Sequence, residues 1–168
     1  MHEPLGYHAF SLIASISIIL LLGGPIEATE VKISNDAQSR IDAVAEKLVS
    51  NQIAQIDIMQ IPPEIMTRTR ITPALLARQF HYKLTIRDVR GGVLLPKLIE
   101  AVKSITVQPR PEAADLRWGV EFFAVDGGRV GALYFDKTGG YGNLDDIPVS
   151  FRGDFFEWLS SNFGKCFR

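Results

Sequence analysis

Apolar residues recur along the chain with two different periods, and these periods predict its elements. From 36 to 50, Ile41, Val44, Ala45 and Leu48 fall at helical spacing, so an amphipathic helix is expected there with Asn35 or Asp36 as its N-cap. Ile53 to Ile61 alternates, with Ile56 and Ile58 set against Gln55 and Asp57. It stops at Pro62-Pro63, which donate no ladder hydrogen bond, and reads as a strand. Thr67-Arg68-Thr69-Arg70 is polar, β-branched at alternate positions and expected to be extended. Thr72-Pro73 opens a short helix ending near Gln79: threonine offers a capping oxygen, and proline gives up an N–H that had no partner anyway. From His81 to Arg87 the alternation is clean. Tyr82, Leu84 and Ile86 share one face, and His81, Lys83, Thr85 and Arg87 share the other.

After Gly91-Gly92 the period returns to that of a helix through Leu94, Leu95, Leu98, Ala101, Val102 and Ile105, with Pro96 tolerated in the first turn. Residues 106 to 115, with Pro109 and Pro111, read as a loop. Leu116–Val125 and Arg129–Asp136 flank Asp126-Gly127-Gly128 and form the clearest hairpin. Pairing them places Leu116, Trp118, Val120, Phe122 and Ala124 on one face with Gly131, Leu133 and Phe135. The opposite face mixes Arg117, Glu121, Phe123, Val130, Ala132 and Tyr134, a composition that suits solvent or a partner. Thr138-Gly139-Gly140-Tyr141-Gly142-Asn143 reads as a glycine-rich loop before a strand from Ile147 to Phe151. A last helix runs from Asp154 to Phe163, capped by Asp154 and stopped by Gly164. Within it Phe155, Trp158 and Leu159 should pack on the sheet, with Phe156 and Phe163 partly exposed. The fold expected is α+β: about five strands in an antiparallel or mixed sheet, with helices packed mainly on one face.

The N-terminal segment changes the picture of where this domain works. Ser11 to Leu22 is a run of mostly apolar residues closed by Gly23, Gly24 and Pro25, too short to span a bilayer comfortably. It has the length of a secretory core, and Ile26-Glu27-Ala28 supplies a small residue for cleavage. The division expected is a signal peptide over 1–28 and a single domain over 29–168, extracytoplasmic, meaning periplasmic or secreted, with membrane attachment only through an uncleaved leader. The n-region departs from the usual pattern, since it carries His2, His8 and Glu3 but no lysine or arginine. Cys166 is the only cysteine, so no internal disulfide exists, and it is expected to pack as a small apolar residue between Phe163 and Phe167.

Charge narrows the partners. The whole chain carries 18 Lys plus Arg against 19 Asp plus Glu, so there is no general attraction to nucleic acid. The distribution is uneven: residues 61–110 hold 9 basic and 3 acidic side chains, and 111–168 hold 6 and 9. Arg68, Arg70, Lys83 and Arg87 are therefore candidates for a basic patch that binds an acidic protein or another anionic surface. Tyr141, an aromatic residue between two glycines, is a candidate contact residue.

The chemistry of catalysis is sparsely represented. Past the leader there is one histidine, His81, too few for a zinc site of histidines and cysteines, and no cofactor is expected. Asp136, Asp145 and Asp146 flank the glycine-rich stretch and form an alternative acidic site for acid/base work in a small hydrolase. Their spacing departs from a calcium loop, because Thr138 and Gly140 take the second and third ligand positions. The stretch also lacks the Gly-Lys-Ser/Thr ending of a phosphate loop. The reading that follows is an exported small binding protein, an inhibitor or accessory factor acting on another extracytoplasmic protein, with a small hydrolase at the acidic site as the alternative.

Overall fold

The computed structural model describes residues 26–90 and 92–167, with side chains from Asn35 onward. Four helices and seven strands follow in the order α1 (Ile26–Val49), β1 (Ile53–Gln60), α2 (Pro73–Gln79), β2 (Tyr82–Arg87), α3 (Leu95–Lys103), β3 (Thr106–Pro109), β4 (Trp118–Ala124), β5 (Arg129–Phe135), β6 (Tyr141–Leu144), β7 (Ile147–Arg152) and α4 (Phe155–Phe163). The strands form one sheet in the order β2-β1-β4-β5-β6-β7-β3, every neighbouring pair antiparallel. The class is α+β as expected, but there are seven strands where about five were read. No helix among the described residues is long and apolar enough to cross a membrane.

The first face of the sheet carries the main core. Ile56 and Ile58 of β1, Trp118, Val120 and Phe122 of β4, Leu133 and Phe135 of β5 and Val149 and Phe151 of β7 all point to it and are buried. The hairpin register matches the alternation read from the sequence, with Trp118 opposite Phe135, Val120 opposite Leu133 and Phe122 opposite Gly131. Gly127 supplies the positive φ its turn requires. Three helices cover this face. α1 contributes Ile41, Val44, Ala45 and Leu48, α3 contributes Leu98, Ala101 and Val102, and α4 contributes Phe155, Leu159 and Phe163. Each large side chain buried this way stabilises the fold by about 1.5–3 kcal/mol before the cost of ordering it.

Several expectations are corrected here. α1 begins at Ile26 rather than 36, because no proline or glycine interrupts 26–49, and Asn35 and Asp36 lie inside it. The expected signal peptide lies outside the described residues except for Ile26–Ala28, which form the first turn of α1. Thr67–Arg70, expected to be extended, bends at Arg68 and Thr69. Asp154 makes no side-chain cap; its backbone N–H donates instead to Ser104 Oγ at 2.9 Å. Phe163 is buried, and Phe156 is half-buried, edge-on to Trp118 at 6.1 Å between ring centres. Cys166 is exposed, the apolar contacts at this end being made by Phe163 and Phe167 on either side of it.

The second face is covered differently. The excursion between β1 and β2, which includes α2, folds back over its middle and forms a smaller core of Met59, Ile61, Ile71, Leu76, Leu116, Ala132 and Tyr134. α2 starts as the sequence predicts: Thr72 Oγ1 accepts from the Leu75 N–H at 3.3 Å, and Pro73 follows in the first turn. Leu116, expected on the face of Trp118, belongs to this second core. It precedes β4, and its N–H is held by the Ile71 carbonyl at 3.1 Å, which draws it under the excursion.

The two strands missed in the sequence are both short. β3 pairs only with β7 and forms an edge of the sheet, where its closing Pro109 can be accommodated without breaking a central ladder. β6 lies within the glycine-rich stretch. A side chain at Gly142 would overlap the Tyr134 carbonyl, so glycine here is what lets β6 pair closely with β5.

Candidate functional site

The second face brings together charged residues that the sequence scatters. Asp57 of β1 sits opposite Thr85 of β2 on one side and Glu121 of β4 on the other. Asp57 is buried, and its carboxylate is saturated: Oδ1 accepts from Thr85 Oγ1 at 2.8 Å and Gln55 Nε2 at 2.9 Å, while Oδ2 pairs with Lys83 Nζ at 2.8 Å. Glu121 accepts from the Tyr134 hydroxyl at 2.7 Å and lies 3.5 Å from Arg129. Burial, reinforced by the hydrogen bond to Glu121, holds the Tyr134 hydroxyl well above the ordinary range, so it stays a donor. The row ends on Asp145, which lies 3.8 Å from Arg129 and 3.0 Å from Arg40 of α1. Across four adjacent strands and the β6–β7 turn each carboxylate thus has a cation, Lys83 beside Asp57 and Arg129 between Glu121 and Asp145, while Asp57 and Glu121 stand next to each other. Every acid in the row has a cation as partner, which lets Asp57 be buried on the sheet face while the cations stay in contact with water.

The expected basic patch is divided by this geometry. Lys83 is held by Asp57 and stands 5.8 Å over the Phe80 ring. Arg87 lies at the far end of β2, opposite Gln55, beside a wide depression of about 590 Å³ floored by Gln55, Asp57 and Phe123. Arg68 and Arg70 belong to the excursion past the other end of β1, where Arg70 donates to the Ala113 carbonyl at 3.3 Å. Four cations that the sequence offers as one surface are therefore not gathered into one.

The expected acidic site is divided as well. Asp136 binds its own turn, accepting from the Thr138 N–H at 3.1 Å and from the Thr138 hydroxyl at 2.9 Å. Asp145 lies at the opposite end of β6, where its N–H donates to the Ala132 carbonyl and its Oδ1 accepts from the Ala132 N–H at 3.0 Å. Ala132 and Asp136 are four positions apart on extended chain, about 13 Å. Asp146 is exposed. No pair of carboxylates suited to acid/base chemistry forms from these three residues. Among the described residues no three His, Cys, Asp or Glu side chains gather as a metal site.

Two of the sequence candidates do meet, Tyr141 and Asp136. They line a polar depression of about 380 Å³ with Pro63, Arg110, Asp115, Arg117 and Lys137. Arg110 lies over the Tyr141 ring at 4.1 Å, close enough for a cation–π contact. The Arg110 N–H is tied to the Pro148 carbonyl at 2.9 Å, which fixes the base of its side chain against β7. Arg117, nearly buried, forms a fork with Asp115 Oδ2 through Nε at 3.1 Å and Nη2 at 2.6 Å, and gives its other arm to the Ile65 carbonyl at 2.9 Å. Arg117 and Asp115 therefore brace the wall. Lys137 makes no ion pair among the described residues, and Tyr141 is 47% exposed. The depression presents an aromatic surface, a stacked guanidinium and an exposed ammonium on a rigid frame. Arg110 was missed in the sequence, since it lies in a stretch read as loop, 31 residues from Tyr141. A comparison with known protein families, curated proteins and solved structures finds no match.

Proposed function

We propose that this chain is an exported binding protein, an inhibitor or accessory factor, which engages another extracytoplasmic protein through the depression around Tyr141. The observation that supports it is the stacking of Arg110 on an exposed Tyr141 at the edge of a braced depression. Tyrosine and arginine are, with tryptophan, the residues enriched where interface energy concentrates, tyrosine because it offers a large rigid contact area at small entropic cost and arginine because its planar guanidinium stacks and forms forked hydrogen bonds. The acids of the depression are engaged within the fold, Asp115 by Arg117 and Asp136 by Thr138. On the open side stand Lys137, the Tyr141 ring and Arg110, whose guanidinium also lies 3.7 Å from the exposed Glu112, and the two cations suit a carboxylate-bearing segment of the partner. The apolar run from 11 to 22 supports the compartment.

The test is capture of a partner from an extracytoplasmic extract by the tagged chain, followed by measurement of the purified partner's affinity. Tyr141→Ala should leave the fold intact and weaken binding at least tenfold, while Arg68→Glu with Arg70→Glu, outside the depression, should leave it within about twofold. Equal affinity of the Tyr141→Ala variant would overturn the proposal.

A further inference from the structure

On the first face, under the N-terminal turn of α3, the packing is incomplete. A cavity of about 220 Å³ lies between the β2 edge of the sheet and the helices, walled by Ile56, Ile58, Ile86, Leu98, Val120 and Trp158. Interiors are close-packed, and voids larger than a water molecule are few. An apolar cavity of about 150 Å³ is already enough to stay dry and take up benzene. Apart from the Trp158 indole N–H, which has no partner, the wall side chains named are apolar, so solvent in the space gains little, whereas hydrocarbon restores the missing contacts.

The rim is apolar too. Val93 and Leu94 belong to the lining and are 95% and 40% exposed, an unusual position for adjacent aliphatic residues. Among the described residues the charged members of the lining are Arg87 and Asp88, which places charge at the strand end on one side of the cavity. A ligand that suits the site is apolar for most of its length and polar at one end.

We infer that this cavity binds a straight aliphatic chain of about eight carbons, scaled from the volume that takes up benzene, with its polar end at the rim beside Arg87 and Asp88. The site is separate from the Tyr141 depression and lies on the opposite face of the sheet, so its failure would leave the proposed function standing, and the reverse.

The test uses the full chain and a series of carboxylates, hexanoate to dodecanoate, kept below their micelle concentrations. Binding is read by Trp158 fluorescence and by calorimetry. Affinity should rise about fourfold per added methylene up to octanoate and level off beyond it, as the cavity fills. Ile86→Trp, which fills the cavity from the half-buried edge strand, should abolish the response. The proposal is overturned by the absence of saturable binding for every chain length. It is overturned equally by affinity that climbs without a break to dodecanoate, the mark of surface adsorption. A folded Ile86→Trp variant that binds as the wild type does would also overturn it. Should Ile86→Trp not fold, the chain-length profile of the wild type decides alone.

Discussion

The two faces of the sheet solve the same problem with different means. The first face buries an apolar surface under α1, α3 and α4, and among the described residues the buried side-chain polar atoms left without partners are Gln60 Oε1 and Trp158 Nε1. Among the described residues the second face has one short helix to cover it, and beyond the reach of that helix it holds the buried Asp57 and the half-buried Glu121 and Asp145 with the exposed cations Lys83 and Arg129. An apolar face tolerates approximate packing and needs covering elements. A charged face needs no cover but demands that every group find its partner, because an unpaired buried charge costs several kcal/mol.

Substitutions can break this contrast in order of size. Phe135→Ala removes a ring that meets Phe151, Phe155 and Phe156 with centres 4.5, 5.8 and 5.5 Å away. It should cost about 3–5 kcal/mol in denaturant unfolding, with no dependence on salt. Asp57→Ala should cost about 2–3 kcal/mol, since it strands Lys83, Thr85 and Gln55. That figure sits at the low end for a buried pair because Lys83 is 36% exposed and regains water. Tyr134→Phe should cost about 1.5–2 kcal/mol at neutral pH by taking a donor from Glu121. Arg40→Ala should cost less than about 1 kcal/mol and lose even that in high salt, because the Arg40 side chain is 53% exposed.

Tyr134 also carries a pH signature. Its hydroxyl keeps its proton in the folded state at a pH where the unfolded chain, with an ordinary tyrosine value of about 10, has lost it. The unfolded state then binds fewer protons than the folded one, so stability falls as pH rises above about 10 and is unaffected by this group below it. Urea unfolding of wild type and Tyr134→Phe across pH 8 to 11 should show the wild type losing its advantage above pH 10. Parallel slopes would assign the alkaline loss to other groups.

The first face was largely legible in the sequence, because period and polarity there agree residue by residue. Ile41, Val44, Ala45 and Leu48 of α1 and the pairing of Trp118 with Phe135 follow from spacing alone. The second face was not, because its structure depends on which strands become neighbours. Asp57 stands between Ile56 and Ile58 as an ordinary outward residue, and nothing local says that Glu121, 64 positions later, will face it. β6 was hidden by Gly142, which marks a loop by composition but here permits the close approach of the Tyr134 carbonyl. The same limits apply to the candidate site. Tyr141 and Asp136 are near each other in sequence and meet, whereas Arg110 and Arg117 reach the depression only through the pairing of β3 with β7 and of β4 with β5. Arg68, Arg70, Lys83 and Arg87 lie close in sequence, but Arg87 is set at the far end of β1 and β2 from the excursion and Lys83 is taken up by Asp57.

The most direct test of the proposed binding surface is site-specific photocrosslinking in living cells, with a benzophenone amino acid placed at Tyr141 and, as control, at the exposed Ser161 of α4 on the opposite face. The account predicts a discrete crosslinked protein from position 141, absent from position 161 and lost when Arg110 is changed to Ala. Crosslinking of equal yield and identity from both positions, or none from 141 alongside a discrete product from 161, would contradict it.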